Sequence, residues 1–350
     1  MNKIIEDDIK VILADKSIPW ERFRNKSVLI TGASGMLPVY MAYTILYLNR
    51  CHSYNTHLYA LVRNRDRAME LFADWANDEH FSLIVQDVSQ PIELNAPLHY
   101  IVHAASQASP KYYSVDPVGT INANVLGTIN TLNLAKEKKI EGYLYFSTGD
   151  VYGIVPPEYF PFNEEMYGYI DLLNIHSCYG ESKRMGEQLC VAYNHQYNVP
   201  THIVRIFHTY GPCMRLDDRR VFADFAGNIL RRENITLKSE GSAVRPFCYV
   251  SDAVRAYFKI LLDGELASAY NVANTNESLS VKQLAKELVK IYPEKNLSVN
   301  IQKDPRDIVT TAMKSPVERI LPDCTRIHAL GWKPMVSVRE GFRRTIESLI

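Results

Sequence analysis

Short apolar or β-branched runs alternate with longer helical stretches along roughly the first 210 residues of the chain. The clearest helix spans about 117–138, and the runs predicted as strands are residues 27–31, 57–62, 81–85, 100–103, 143–147 and 201–206. Strands that alternate with helices are typical of a parallel sheet covered by helices on both faces. The pattern therefore predicts an α/β fold with a doubly wound parallel sheet.

The alternation divides the chain into a main domain and two additions. A mixed-charge, amphipathic opening predicts an N-terminal helical extension over 1–25, laid against the outside of a dinucleotide-type domain over 26–210. Beyond this domain Gly and Pro separate shorter elements. We expect 211–350 to form mainly a smaller α/β cap on the carboxyl edge of the sheet, with some segments returning to the sheet. Ligands of open α/β sheets bind at that edge.

Composition narrows the function classes. The 350 residues are 47% hydrophobic, which allows a large core, and 39 basic residues balance 39 acidic ones. Since no block of like charge is present, we expect neither a nucleic-acid nor a membrane partner. The opening residues lack the pattern of a secretion signal. The six cysteines form no CxxC pair, which favours reduced thiols in the cytoplasm and no metal site.

A glycine-containing turn follows the first predicted strand. It reads Thr31-Gly32-Ala33-Ser34-Gly35 and leads into an apolar helix. Gly32 and Gly35 permit a tight turn and bring a diphosphate close to the helix N-terminus. Pro38 stands where a third glycine is usual, and a first helical turn accepts proline. The same residues also suit an ordinary strand-to-helix turn.

The end of the second strand bears on the choice of dinucleotide. It carries Arg63 and Arg65 where a carboxylate would bind the adenosine ribose. A missing acid with an arginine nearby accommodates a 2′-phosphate, so we expect NAD or NADP, with NADP slightly favoured by Arg63. The two arginines also suit the start of a solvated helix. Asp87 has two interpretations as well: it accepts a hydrogen bond from the adenine amino group, or it caps a turn.

Tyr179 and Lys183 lie four residues apart in a predicted helix and therefore project from one face. A nearby ammonium favours the phenolate, which would make Tyr179 usable as a base near neutral pH. A solvent-exposed helix face produces the same spacing by chance.

Together these motifs resemble the extended short-chain dehydrogenase/reductase family, specifically its nucleotide-sugar epimerases, dehydratases and decarboxylases. The likeness runs from about 26 to 345 and implies a Rossmann-type fold. Beside the glycine turn and the Tyr179/Lys183 pair, it rests on residues 103–110 (HAASQASP), 124–128 (NVLGT), 147–153 (STGDVYG), 205–212 (RIFHTYGP), 245–252 (RPFCYVSD) and 330–334 (LGWKP).

The resemblance implies a role for each motif residue. Tyr179 is the general base, Lys183 holds the nicotinamide ribose and lowers the pKa of Tyr179, and Thr148 bonds the sugar hydroxyl. With these three, Asp150 completes the catalytic set. The cofactor-binding residues are Gly32, Ser34, Gly35, Met36, Arg63, Asp87, Val88, Ala104, Ala105, Asn124, Tyr179 and Lys183. The residues for a nucleotide-diphosphate sugar are Ser106, Thr148, His208, Arg215, Arg219 and Arg245. His208 departs from the family, which often has asparagine there.

The choice of reaction depends on Gly149 and Asp150. Hexose 4,6-dehydratases carry an acid at both positions, and nucleotide-glucuronate decarboxylases carry glutamate at the second. A 4-epimerase or 4-ketoreductase of surface-polysaccharide sugar synthesis needs only Thr148, Tyr179 and Lys183, so we expect one of these. Decarboxylation and dehydration are the alternatives, followed by an inactive nucleotide-binding regulator and a dehydrogenase for small alcohols. The resemblance also implies a homodimer formed through two helices, one of them the Tyr179 helix.

Overall fold

Thirteen strands and eleven helices make up the parts of the chain described by a computed structural model, which are residues 1–218, 220–302 and 319–350. The strands are β1 (Ser27–Thr31), β2 (His57–Val62), β3 (Phe81–Val85), β4 (Tyr100–His103), β5 (Gly142–Thr148), β6 (Thr201–Ile206), β7 (Thr209–Tyr210), β8 (Ile235–Leu237), β9 (Val244–Pro246), β10 (Cys248–Tyr249), β11 (Ala269–Val272), β12 (Ser278–Ser280) and β13 (Val299–Ile301). The helices are α1 (Lys3–Leu13), α2 (Met36–His52), α3 (Arg65–Leu71), α4 (Pro110–Val115), α5 (Pro117–Lys138), α6 (Ser177–Tyr197), α7 (Val221–Arg231), α8 (Val250–Asp263), α9 (Val281–Ile291), α10 (Thr325–Ala329) and α11 (Val338–Glu347).

The central sheet has seven strands in the order β11-β6-β5-β4-β1-β2-β3, and every neighbouring pair is parallel. This confirms the predicted α/β fold. The six strands expected from the sequence lie within one residue of their predicted bounds. Because the order reverses between β1 and β4, a crevice opens at the carboxyl ends of these two strands, where such sheets bind ligands.

The segment after β6 both extends the sheet and builds beyond its edge. Strand β11 pairs with β6, so residues 269–272 belong to the central sheet. The remaining late strands form two-stranded pairs, β10 with β7, β12 with β9 and β13 with β8. Helix α9 packs against α7 and α11 in this region. These pairs and helices form a smaller group of elements outside the central sheet, and its expected place at the carboxyl edge stays a prediction.

Burial explains why the first strand and its helix read as apolar. All five residues of β1 are buried, since helices cover both faces of the sheet. Helix α2 buries eleven consecutive residues, from Pro38 to Leu48. A helix that is apolar all round belongs inside a protein. In the described ranges, no helix is long and apolar enough to cross a bilayer.

The N-terminal helix α1 packs against α2 and α8 through a buried carboxylate. Asp8 accepts hydrogen bonds from Tyr40 Oη (3.0 Å), Tyr249 Oη (2.6 Å) and Arg344 Nη1 (2.9 Å). Burial raises the pKa of Asp8, and these three partners oppose that shift. The extension thus joins residues from three distant parts of the chain, since Tyr249 opens α8 and Arg344 belongs to α11.

We predict that Asp8→Ala lowers the free energy of unfolding by about 2 kcal/mol or more, because it leaves the buried hydroxyls of Tyr40 and Tyr249 without their acceptor, whereas the half-buried Arg344 keeps Glu340. Urea denaturation followed by circular dichroism measures the change. Asp7→Ala is the matched control, because Asp7 is exposed and pairs with Lys3 alone among the charged groups of the described residues within 4 Å. An exposed ion pair contributes little. Equal effects of the two substitutions would contradict the role given to Asp8.

Candidate active site

The glycine turn after β1 closes against the segment after β4. Gly32 has a positive φ of 65°, and a Cβ atom there would lie 2.8 Å from the Cα of Ala105. Thr31 Oγ1 accepts hydrogen bonds from the backbone N–H groups of Ala104 and Ala105, each at 3.1 Å. Only glycine fits this close approach without strain. The structure therefore brings Gly32, Ala104 and Ala105 together, as predicted from the motifs.

Helix α2 starts directly at this turn. Gly35 is its N-cap and supplies no side chain to the first N–H groups, and Met36 is its first residue. These N–H groups have no intrahelical partner in any α-helix, and they lie at the positive end of the helix dipole. Pro38 sits in the first turn without breaking it, since Val39 N–H bonds Gly35 O at 3.0 Å. The helix start has the form of a diphosphate-binding site.

Arginines surround the position expected for the adenosine ribose. Arg63 follows β2, is exposed, and approaches Asp87 to 3.7 Å. Asp87 also caps a turn, because its Oδ1 accepts from Ser89 N–H at 2.9 Å. Arg67, which the sequence analysis did not select, donates from Nε to Ser34 O at 3.3 Å. The basic groups thus extend from the end of β2 to the glycine turn.

Asn124 connects α5 to the helix that carries Tyr179. Its Nδ2 donates to Ser182 Oγ at 2.9 Å, and Ser182 Oγ donates to Tyr179 O at 3.1 Å. Asn124 Oδ1 is buried and finds no partner within the described residues. Val88 lies next to α5, since a Cβ at Gly127 of that helix would come 2.7 Å from Val88 Cγ1. Asn124 therefore supports α6 and turns one unsatisfied acceptor into the site.

Lys183 is buried close to Tyr179. Its Nζ donates to Phe146 O at 2.6 Å and lies 6.0 Å from the centre of the Tyr179 ring. Burial lowers the pKa of Lys183 to about 7, and Cys190 and Glu187 oppose the shift. The Lys183 amine is therefore only partly in its protonated, ammonium form at neutral pH.

Tyr179 lies between α4 and the end of β5. Its ring stacks on Tyr113, with centroids 4.9 Å apart and planes 13° from parallel. Burial raises the pKa of Tyr179, the charge of Asp150 raises it further, and a hydrogen bond from Thr148 and the charge of Arg220 oppose the rise. The net result is a raised pKa for Tyr179, not the lowering expected from Lys183, because burial outweighs the neighbouring charge of Arg220.

Thr148, Gly149 and Asp150 follow one another at the carboxyl end of β5. Thr148 Oγ1 accepts from Asp150 N–H at 3.2 Å. The side chain of Asp150 is reached by solvent through the open cleft, yet the surrounding protein raises the pKa of its carboxyl against the charges of Arg245 and Arg220. A Cβ atom at Gly149 would overlap the ring of Phe207. The space for a side chain before Asp150 is thus occupied by an aromatic ring.

Arg245, His208 and Ser106 form the first group of predicted substrate residues. Arg245 is buried on β9, and its charge acts on both Asp150 and His208. His208 has a positive φ of 33°, and burial followed by Arg245 and Arg220 lowers its pKa to about 3. Two buried polar atoms in this cleft, His208 Nδ1 and Ser106 Oγ, lack a hydrogen-bond partner in the part of the chain that the structure describes.

The arginines after β7 divide differently from the expectation. Arg215 is exposed and forms a bidentate pair with Asp217, donating from Nε at 2.8 Å and from Nη2 at 2.7 Å. Arg219 lies outside the described residues. Arg220, which stands in the same arginine run, pairs with Asp218 and lies over the Phe222 ring at 5.2 Å. Its charge acts on Tyr179, Asp150 and His208, so Arg220 belongs to the site.

These residues fit a nicotinamide dinucleotide and a nucleotide sugar. The glycine turn leaves room that a Cβ would fill, and Asn124 Oδ1 offers a buried acceptor without a partner in the described ranges. Tyr179 and Lys183 lie deeper in the same crevice, next to Thr148. Tyr113, Phe207, Arg67 and Arg220 complete it. Of these, Arg220 stands in a run of arginines and aspartates and Phe207 lies in the 205–212 motif, whereas Tyr113 and Arg67 had no such signal.

Comparisons with known proteins agree with this geometry. The sequence model of the NAD dependent epimerase/dehydratase family matches residues 28–273. UDP-glucuronic acid decarboxylase 6 of Arabidopsis thaliana is 33% identical over 320 residues, covering 91% of this chain and 87% of the relative. UDP-glucuronic acid decarboxylase 1 of Danio rerio is 33% identical over 329 residues, covering 92% of this chain and 72% of the relative.

Solved structures share the fold at lower identity. The UDP-glucose 4-epimerase of Thermotoga maritima, crystallised with UDP-glucose, superposes with a TM-score of 0.76 at 22% identity over 92% of this chain and 98% of its own. The UDP-glucuronic acid 4-epimerase of Bacillus cereus, crystallised with UDP-glucuronic acid and NAD, gives 0.75 at 21% identity over the same shares. At these identities the likeness shows the fold.

We predict that the stability of the wild type relative to Lys183→Met rises with pH between about 7 and 9. The folded chain releases the Lys183 proton near pH 7, whereas the unfolded chain keeps it to about 10.5. The unfolded state therefore binds more protons in this range, and the difference grows by at most about 1.4 kcal/mol per pH unit. Urea denaturation at pH 7, 8 and 9 measures it. A difference that does not change with pH would show that Lys183 keeps an ordinary pKa.

Proposed function

We propose the following reaction for this chain, which belongs to the NAD dependent epimerase/dehydratase family: the C4 hydroxyl of a nucleotide glucuronate is oxidised, and the keto acid loses CO2. Family membership makes the chain an NAD-dependent enzyme that modifies nucleotide sugars, as the sequence predicted. The observation that carries decarboxylation is the similarity to UDP-glucuronic acid decarboxylases over nine-tenths of the chain. It favours the alternative reaction over the 4-epimerase or 4-ketoreductase expected first.

The residues at the ends of β5 and α6 suit the first step. When bound, the oxidised nicotinamide supplies an acceptor for the hydride of C4 and, once reduced, a donor that returns it. Thr148 holds the C4 hydroxyl, and Tyr179 takes its proton as the carbonyl forms. Lys183 supports this transfer, since a positive charge beside the phenol favours the phenolate. The raised pKa of Tyr179 means that this help is needed.

Loss of CO2 needs no second acid beside Asp150. Once C4 is a ketone, the carboxylate on C5 is β to a carbonyl, and the electrons of the breaking bond pass into the enolate. Asp150 then gives a proton to C5, which suits a carboxyl whose pKa is raised. Dehydration would require one carboxylic acid and one carboxylate at neighbouring positions. Phe207 fills the place of the first of these at Gly149.

The charges of the cleft suit an anionic sugar. Arg245 and Arg220 both act on Asp150, so a glucuronate carboxylate entering beside it meets two positive charges. The raised pKa of the Asp150 carboxyl reduces its like-charge repulsion with such a substrate. Arg245 also suits the diphosphate, because guanidinium groups bind phosphate oxygens in pairs. We assign Ser106 and His208 to the same substrate, and we keep Arg215 and Arg219 as predictions for its diphosphate.

We predict that the purified protein with NAD converts UDP-glucuronate into a UDP-sugar lighter by one CO2, observed by mass spectrometry, with a C5 methylene in the proton NMR spectrum. Tyr179→Phe should lower kcat by about a hundredfold or more, since general base catalysis contributes on that order. A product of unchanged mass with inverted C4 would identify a 4-epimerase instead. Wild-type turnover by Tyr179→Phe would remove that residue from the mechanism.

We also propose that the site accepts NADP, because Arg63, Arg65 and Arg67 lie where a 2′-phosphate would enter. Arg63→Ala should weaken NADP about tenfold and NAD much less, since one charge-assisted hydrogen bond contributes roughly 1.5 kcal/mol or more. Isothermal titration with both dinucleotides measures the two affinities. Arg231→Ala is the control, an exposed arginine paired with Glu233 on the distant helix α7. Equal weakening of both dinucleotides would show that Arg63 does not recognise the phosphate.

A further inference from the structure

We infer that Glu187 and Arg205 are positioning residues, which hold Thr148 at a fixed distance from Tyr179 and Lys183. The inference rests on the proposed C4 chemistry for its kinetic readout. Thr148 ends strand β5, whereas Tyr179 and Lys183 lie on α6, about thirty residues later in the chain. The reaction requires these two elements to keep one geometry, so whatever fixes α6 on β5 contributes to catalysis.

Glu187 binds both strands that lie beneath α6. Ser147 on β5 and Arg205 on β6 are directly opposite one another in the parallel ladder. Ser147 Oγ donates to Glu187 Oε1 at 2.5 Å, and Arg205 donates from Nε to Oε1 at 2.9 Å and from Nη2 to Oε2 at 2.7 Å. One carboxylate thus joins a helix to two adjacent strands, and all three side chains are buried.

The position of Glu187 along the chain gives this contact its functional meaning. Glu187 follows Lys183 by four residues and Tyr179 by eight, so all three side chains project from one face of α6. Ser147 directly precedes Thr148. Helix and strand also lie unusually close, because a Cβ at Gly186 would overlap the Tyr145 hydroxyl. Ser147 is adjacent to Thr148, and Glu187 lies about one helical turn after Lys183. The Ser147–Glu187 hydrogen bond therefore connects Thr148 on β5 to the Tyr179/Lys183 pair on α6.

Arg205 extends the connection to the segment between β5 and α6, and from there to β11. Its Nη1 donates to Glu164 O at 2.9 Å, in the segment between β5 and α6. Glu164 Oε1 in turn accepts from Asn271 N–H of β11 at 2.7 Å. A buried ion pair generally adds little net stability over apolar residues of similar volume. A role in geometry accounts for charged residues at these positions better than a role in stability does.

Ser147→Ala tests the inference, because it removes one hydrogen bond and leaves the Glu187–Arg205 pair intact. We expect kcat with UDP-glucuronate to fall about tenfold while KM changes less than about twofold, since misplaced catalytic groups slow the chemical step. Hydrogen exchange of the amides of residues 148–152 should become faster. Thr345→Val is the control: it also removes a buried hydroxyl, which donates to Gly341 O at 2.7 Å in the distant helix α11.

The outcomes separate this inference from the proposed reaction. Wild-type kcat together with wild-type exchange at residues 148–152 in Ser147→Ala would overturn the inference, as would an equal loss of kcat in Thr345→Val. If the wild type does not decarboxylate UDP-glucuronate, the proposed reaction fails, and the exchange rates still decide the positioning role. Glu187→Gln serves as a second variant should Ser147→Ala not fold, because glutamine keeps an oxygen acceptor for Ser147 and removes the charge that binds Arg205 on β6. The weaker contact between α6 and the sheet should give the same faster exchange.

Discussion

Removal of ionisable groups from water at the carboxyl edge of the sheet is the constraint on which the site depends. Burial is the largest influence on the pKa values of Lys183, Tyr179 and His208. In each case it favours the uncharged form, which is the effect of a low dielectric on any titrating group. The site therefore disfavours the charged forms of these groups, and Arg245 and Arg220 supply positive charge.

The preference of these groups for their uncharged forms affects how the Tyr179 phenolate would form. A buried phenol beside a carboxyl is not a base at neutral pH, so the geometry of Tyr179 alone does not generate the phenolate. Lys183 is held by the Phe146 carbonyl rather than by the phenol, and its lowered pKa leaves the ammonium only partly formed. In the proposed reaction, an oxidised nicotinamide would add a positive charge, and exclusion of solvent would strengthen electrostatic interactions inside the crevice. Activation of Tyr179 would thus be coupled to assembly of the complex.

The sequence predicted those parts of the protein that follow from local patterns. Strand and helix periodicity located the sheet, and the tight turn from Gly32 to Gly35 is predicted by a pattern of only a few residues. Contacts between distant residues had no such signal. Phe207 fills the space beside Gly149, Tyr113 stacks on Tyr179, and Glu187 binds Ser147, yet each pair is far apart in the chain. The pKa of Tyr179 was mispredicted for the same reason, because burial is set by tertiary packing.

The fate of the keto-sugar is decided by volume as much as by chemistry. Thr148, Tyr179 and Lys183 suit oxidation at C4 and leave the next step open, so the reaction depends on what surrounds C5. At Gly149 the Phe207 ring takes the space that a second acid would need, which leaves one proton donor, Asp150. One donor suffices for an enolate formed by loss of CO2, because that step consumes a single proton at carbon. An elimination of water requires one proton removed and another delivered, and the packing of Phe207 leaves no group for the second task.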